Sequence, residues 1–123
     1  MAKKEVTTDL WVASQLNACG IKYDAQGSTV FEIDEALSIA SKRGTGHAGY
    51  PEFVAVIGDF VLVIEDKADT YRHIKKTESG VLDTSVEAVS DFAVNGAYAY
   101  AKHIAKNSSW KRRTCSLASA GRF

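Results

Sequence analysis

One predicted β-hairpin carries charged residues at its open end, where they could hold a metal ion. Its strands are the apolar runs 53–57 and 60–64, and only Gly58-Asp59 lies between them. That pattern predicts a hairpin with a two-residue turn. In such a tight turn Ile57 pairs with Phe60, and pairing then continues outward one residue at a time.

The predicted pairing places Glu52 directly opposite Glu65. Side chains alternate between the two faces of a strand, so Lys67 points to the same side as Glu65. Directly opposed Cβ atoms lie ~5 Å apart, and like charges at that distance are unfavourable unless a cation or a proton lies between them. The sequence therefore predicts a divalent metal site at the open end of the hairpin.

Such a site would suit the hydrolysis of a phosphate ester. Mg²⁺ prefers oxygen ligands in octahedral geometry and keeps several waters, which leaves room for a substrate phosphate. The Lys67 ammonium could orient the attacking water or stabilise the developing negative charge. From spacing alone, an equally good interpretation is that residues 65–69 are simply the charged, solvated end of a strand.

Three helices are expected around the hairpin, over about 9–19, 30–41 and 85–106. Thr8 is the expected N-cap of the first helix, and Gly20 stands at the position that commonly ends one. The hairpin strands are apolar on both faces, which is typical of central strands that helices cover on both sides.

The third helix is predicted to be the longest. Residues 84–87 read Thr-Ser-Val-Glu, which is a capping box, and apolar residues then recur at helical spacing. Beyond this helix, residues 109–123 form a basic and then small, polar tail. In that tail only 114–118 suggest a final strand, and the alternative is disorder.

Composition limits the broad class of the protein without identifying a partner. The chain has 123 residues, which corresponds to one domain, with 46% hydrophobic and 24% charged residues and a net charge of zero. There is thus no overall basic field, although basic clusters could still line one face. The two cysteines match no metal-site spacing and fit a reducing, cytoplasmic setting. No secretory signal or membrane-spanning stretch is evident.

The residues at the open end of the hairpin also carry a family resemblance. Pro51-Glu52 followed by Glu65-Asp66-Lys67 resembles the signature of the PD-(D/E)xK nuclease superfamily. The wider phrases GTGHAGYPEF, VLVIEDKADTYRH and AVNGAYAYAKHI are similar to the N-terminal nuclease domain of restriction-modification enzymes. That group includes type I restriction subunits and enzymes in which a nuclease is fused to a methyltransferase. The resemblance covers about residues 9–108.

This resemblance implies an α/β fold with a restriction-endonuclease-like αβββαβ core, a central sheet flanked by helices. It implies Mg²⁺ as cofactor, with Mn²⁺ as a substitute, held by Glu52, Glu65 and the backbone carbonyl of Asp66. Lys67 takes the place of the motif lysine. Many similar proteins add an acid from a preceding helix, for which Glu35 is the better candidate and Glu32 the other.

The resemblance also implies DNA as the substrate, with methyltransferase or other restriction-modification subunits, or a second copy of the chain, as further partners. Six residues near the site in sequence are candidate phosphate contacts, although for each one taken singly an exposed, solvated position remains the default interpretation. They are Lys42, Arg43, His47, Arg72, Lys75 and Lys76.

These observations lead to one main hypothesis and two alternatives. Residues 1–108 are expected to be a nuclease-like domain, followed by the tail 109–123, and the function is expected to be Mg²⁺-dependent DNA cleavage in a restriction-modification system. The first alternative is a catalytically incompetent remnant that binds DNA or docks onto other subunits. The second is a small α/β interaction domain whose acidic pair is incidental.

Overall fold

A four-stranded mixed sheet with helices on both faces forms the centre of the molecule. The computed structural model describes residues 3–38, 50–110 and 114–120. The strands lie in the order β1-β2-β3-β4, which is compatible with the expected restriction-endonuclease-like core. In chain order the elements are α1 (Lys3–Ala18), β1 (Asp24–Ala25), α2 (Phe31–Ser38), β2 (Phe53–Ile57), β3 (Phe60–Lys67), a 3₁₀ turn (Thr70–Arg72), α3 (Val86–Asp91), α4 (Ala93–Asn107) and β4 (Thr114–Ala120).

The predicted hairpin is confirmed in position and in register. Strands β2 and β3 pair antiparallel, with Ile57 opposite Phe60 at the turn and Phe53 opposite Ile64 at the other end. Gly58 has φ +58°, a left-handed conformation that glycine adopts at little cost and that two-residue hairpin turns require. The ladder ends at the pair of Phe53 and Ile64. Glu52 directly precedes Phe53 and Glu65 directly follows Ile64, so the register brings the two glutamates to the same end of the hairpin.

The half of the hairpin near its open end is buried on both faces, as its apolar pattern predicts, whereas Val56, Ile57 and Phe60 near the turn are exposed. On one face Val54, Val61 and Val63 pack against α2 and α4 in a cluster that includes Ile33, Leu37 and Ile104. On the other face Phe53 and Ile64 pack against Val12 and Leu16 of α1. The end of β3 therefore lies between α1 on one face of the sheet and α4 on the other, and this packing holds its side chains in fixed positions.

Helix α1 starts earlier than the sequence indicates. It runs from Lys3 to Ala18, so the prediction that Thr8 caps its N-terminus is wrong. Thr8 is fully buried inside the helix, on the same face as Val12 and Leu16, because residues four apart lie on one side of an α-helix. The predicted C-terminal end is confirmed: Gly20 has φ +70°, and the N–H of Ile21 donates to the carbonyl of Leu16 at 2.9 Å.

The predicted long helix is two helices. Phe92 has an extended backbone (φ −122°, ψ 135°) and separates α3 from α4. Ser85, and not Thr84, is the N-cap of α3, because the Ser85 hydroxyl accepts the N–H of Ala88 at 3.3 Å. The break turns α4 onto the sheet and leaves its first N–H groups available to the preceding loop.

The tail contributes a complete edge strand. Strand β4 pairs parallel to β3 from Val61 and Thr114 to Lys67 and Ala120, so the expected final strand forms and extends two residues further than its weak pattern indicated. In the described part of the chain, no helix has the length and apolar character needed to cross a bilayer.

Candidate metal centre

The two glutamates of the predicted site lie next to each other at the open end of the hairpin. Glu65 is 2% exposed, and its Oε1 accepts the backbone N–H of Glu52 at 2.9 Å. The carboxylate of Glu65 thus fixes the backbone that carries Glu52. The register of the hairpin favours this contact, because Glu52 and Glu65 are the residues next to the last pair of the ladder, Phe53 and Ile64.

Asp66 points to the opposite face of β3, toward α1. Its carboxylate, that of Glu52 and that of Asp9 on α1 each offer an oxygen, and these oxygens lie within 4.8 Å of one another. Glu52 can join this group because it stands just before the first residue of β2, where the chain is no longer confined to one face of the sheet. Three carboxylates at such distances are an arrangement suited to a divalent cation.

The acidic group (Asp9, Glu52 and Asp66) concentrates negative charge around the buried carboxyl of Asp66. Asp66 is 2% exposed, and among the described residues no N–H or hydroxyl group donates to either of its carboxylate oxygens or to Oδ1 of Asp9, so a hydrogen bond between Asp66 and Asp9 requires a proton on one of the two acids. Burial first, and then the nearby Asp9 carboxyl, raise the pKa of Asp66 from 3.8 to about 9, with smaller contributions from Glu52 and Glu65. At neutral pH Asp66 must therefore hold a proton or face a cation.

Gln26 orients the carboxylate of Glu52. The Gln26 side-chain amide donates to Oε2 of Glu52 at 2.8 Å, and its backbone N–H donates to the Glu52 carbonyl at 3.2 Å. Gln26 follows the short strand β1 directly, so the pairing of β1 with β2 brings it to this position. Nothing in the local sequence around Gln26 indicated this role.

Lys67 lies on the α4 side of β3. Its ammonium donates to the backbone carbonyl of Ser90 at 3.2 Å, near the C-terminal end of α3, where a helix dipole favours positive charge. Tyr100 of α4 is buried near the same end of the sheet. Burial raises the pKa of its hydroxyl, and the nearby charges of Glu65 and Glu52 raise it further.

The structure brings together some of the predicted site residues and adds one. Glu52 and Asp66 lie in the acidic group, and Asp66 does so through its side chain, where the sequence suggested its carbonyl. Asp9 was missed because it was assigned to the first turn of a helix that in fact begins at Lys3. The signal that could have revealed it is its position beside Thr8 on the buried face of α1.

The two acids proposed from α2 lie elsewhere. Glu35 is exposed and is not part of the acidic group. Glu32 accepts hydrogen bonds from the backbone N–H of Ser109 and, at 2.9 Å, from its hydroxyl. Glu32 therefore ties α2 to the segment that leads into β4.

The candidate DNA contacts fall into two sets. Arg72 makes a long ion pair with Asp91 at 3.9 Å, and Lys75 and Lys76 are exposed on the loop that follows β3. The other three, Lys42, Arg43 and His47, lie outside the described residues.

Comparison with known proteins gives one informative similarity. The chain is 32% identical over 122 residues to the type II restriction enzyme and methyltransferase RM.BcgI of Heyndrickxia coagulans. The match includes 98% of this chain but spans only 19% of that enzyme's length. No model of a known protein family matches the chain. No solved structure matches it either.

Proposed function

We propose that this chain is the nuclease part of a restriction-modification enzyme and that it hydrolyses DNA phosphodiesters with Mg²⁺. The acidic group carries the proposal, because the buried Asp66 must hold a proton or face a cation, and two further carboxylates each place an oxygen within 4.8 Å of it. The similarity of the chain to a restriction enzyme and methyltransferase supports the choice of DNA as substrate and of restriction-modification subunits as partners.

The residues present fit the proposed ion. Carboxylate oxygens are the ligands that Mg²⁺ prefers, and an ion held by Asp9, Glu52 and Asp66 would keep coordination positions for water and a phosphate oxygen. When bound, Mg²⁺ would polarise the phosphoryl group and lower the pKa of a bound water. In this proposal Asp9 takes the role of the helix acid that the sequence assigned to Glu35.

The neighbouring residues prepare the site. Glu65 holds the Glu52 backbone in place, and Gln26 fixes the direction of the Glu52 carboxylate. Lys67 brings a positive charge to the same end of β3, where it can stabilise charge that develops on the phosphate. The acids and the lysine approach the substrate from the two faces of one strand.

Thermal unfolding in the presence of Mg²⁺ or Mn²⁺ tests the metal site. A ligand that binds only the folded protein at one hundred times its dissociation constant stabilises it by about 2.7 kcal/mol. We expect both ions to raise the Tm of the chain and of Asp59→Asn, which removes an exposed acid of the turn. We expect no rise for Asp9→Asn.

Cleavage of plasmid and linear DNA in Mg²⁺ tests the activity. Cutting by the native chain, with loss in Asp9→Asn, is the expected result. A metal-induced rise in Tm without cutting would favour the remnant alternative. If neither ion raises the Tm and the native chain does not cut DNA, the acidic group is incidental. That outcome would contradict the proposed function.

A further inference from the structure

We propose that residues 75–83 form a rigid arm that enters a groove of duplex DNA beside the metal centre, and that Asn95 is the residue that positions it. This inference rests on the proposed function, because it takes DNA as the partner. The segment, called the arm below, was not recognised as an ordered element in the sequence.

The base of the arm is a two-stranded ribbon. Lys76 and Leu82 form a β-bridge, and the N–H of Asp83 donates to the Lys75 carbonyl at 3.1 Å. The two strands of the arm therefore run antiparallel from a common base. An isolated ribbon of this size is marginally stable in water, so it needs support from the rest of the fold.

The tip of the arm is a closed turn. The N–H of Thr77 donates to the Val81 carbonyl at 2.7 Å, and the N–H of Gly80 donates to the Thr77 carbonyl at 2.9 Å. Gly80 has φ +84°, which favours glycine at this position. Val81 is 63% exposed, so the tip projects away from the core.

Asn95 supplies the support that the ribbon needs. Its side chain is 1% exposed; Oδ1 accepts the N–H of Lys75 at 3.0 Å, and Nδ2 donates to the carbonyls of Lys75 at 2.9 Å and Asp83 at 2.7 Å. The amide thus binds both strands of the arm at once. A buried amide is costly unless it is hydrogen-bonded, so these three bonds favour one fixed orientation of the arm over a mobile loop.

The arm starts close to the motif lysine. Arg72, three residues before the arm, forms an ion pair with Asp91. The backbone carbonyl of Ser90, the residue before Asp91, accepts a hydrogen bond from the Lys67 ammonium at 3.2 Å. The N–H of Val94 also donates to the carbonyl of His73 at 2.8 Å. The root of the arm and Lys67 are therefore both attached around the junction of α3 and α4.

The charges of the arm suit the walls of a DNA groove. Lys75 and Lys76 are exposed neighbours on one strand, so they project to opposite sides of the ribbon. The major groove admits a two-stranded ribbon and has a phosphate backbone on each side. The arm also carries two acids. The Asp83 carboxylate accepts the N–H of Ser85 at 2.8 Å; that hydrogen bond first, and then the nearby charge of Lys75, lower the pKa of Asp83. Glu78 lies at the tip, and Lys76 is the arm's exposed cation farther from Asp83.

Fluorescence anisotropy of a labelled DNA duplex, measured in EDTA, tests the arm without the metal site. We expect Lys75→Gln/Lys76→Gln to weaken binding by about 10- to 100-fold near 0.1 M salt and to reduce the slope of log affinity against log salt by about 2. The matched control is Lys102→Gln/Lys106→Gln on the exposed face of α4, which removes the same charge and should leave both quantities unchanged.

Asn95→Ala tests the positioning role. It removes the acceptor of the Lys75 N–H and both N–H donors without adding a charge, so the arm should separate from α4. We expect a smaller salt slope although no basic residue is removed, because the lysines no longer meet the phosphates together. A merely structural role would lower the Tm and leave the slope of the folded protein unchanged.

Several outcomes would overturn the inference. They are failure of the native chain to bind duplex DNA, equal loss in the lysine variants of the arm and of α4, or an unchanged salt slope in Asn95→Ala. If Asn95→Ala does not fold, the lysine pair alone decides, since both side chains are exposed. DNA binding through the arm without any cleavage would contradict the nuclease proposal but not this one.

Discussion

Replacing Asp66 by asparagine should change how the stability of the protein depends on pH. Asp66 is buried beside Asp9, and its pKa is raised from 3.8 to about 9. Between these values the folded protein holds a proton on Asp66 that the unfolded chain has released. The free energy of unfolding of the metal-free protein must therefore fall as the pH rises through this window.

The size of the effect follows from the linkage of one proton. Its limit is about 1.4 kcal/mol per pH unit, or about 2.7 kcal/mol between pH 6 and pH 8. Asparagine has nearly the same shape and does not ionise, so Asp66→Asn should remove this part of the pH dependence. Its amide can also donate to the neighbouring Asp9 carboxylate, which should make the metal-free variant more stable than the native chain at pH 8.

Urea unfolding in EDTA at pH 6, 7 and 8 measures this difference. Asp59→Asn is the matched control, because it removes an exposed carboxylate by the same substitution and leaves Asp66 in place. Adding Mg²⁺ at pH 8 should stabilise the native chain and not Asp66→Asn. If the native chain and Asp66→Asn show the same slope with pH, Asp66 does not hold the proton that the buried geometry requires, and the reasoning behind the metal centre fails.

The other predictions concern the lysine, the helix cap and the core. Lys67→Ala should abolish DNA cleavage while the metal-induced rise in Tm persists, and retained cleavage would contradict the role given to Lys67. Ser85→Ala removes the cap of α3 and should cost about 1 kcal/mol in urea unfolding, whereas Thr84→Ala should have little effect. Ile64→Ala, at a position 1% exposed, should cost about 2–5 kcal/mol, and a loss below 1 kcal/mol would mean that α1 does not pack there.

Local patterns predicted the hairpin and the proximity of its acids. The two-residue turn fixes the register, so the nearness of Glu65 to the Glu52 backbone followed from the sequence. The Glu52 carboxylate, however, lies with Asp9 and Asp66 and not with Glu65 and Lys67 as the alternation of side chains predicted. The side chain of Asp66 could be assigned to the other face by the same alternation, but its partner could not. Asp9 joins it from a helix more than fifty residues away in the chain, and only the packing of α1 on β3 reveals that contact.

Other features depend on contacts that no local pattern contains. The helical periodicity continues through Phe92, yet the helix breaks there, and the N–H of Val94, two residues later, donates to the His73 carbonyl instead. Strand β4 has small and polar residues, and parallel pairing with β3 stabilises it more than its own composition does. Asn95 lies on a predicted helix face, where it could not be distinguished from an ordinary polar residue.

The pairing of β3 with β4 has a consequence for the order of events during synthesis. Residues 61–67 carry Glu65, Asp66 and Lys67, and their backbone partners are residues 114–120. When the ribosome has just added Lys67, the chain already contains Asp9, Glu52 and Asp66. At that point β3 has no partner strand on one side, and α4 has not been made. We therefore expect the centre to acquire its final shape only after the segment 114–120 has emerged and paired with β3, which would delay any DNA cutting by a nascent chain until then.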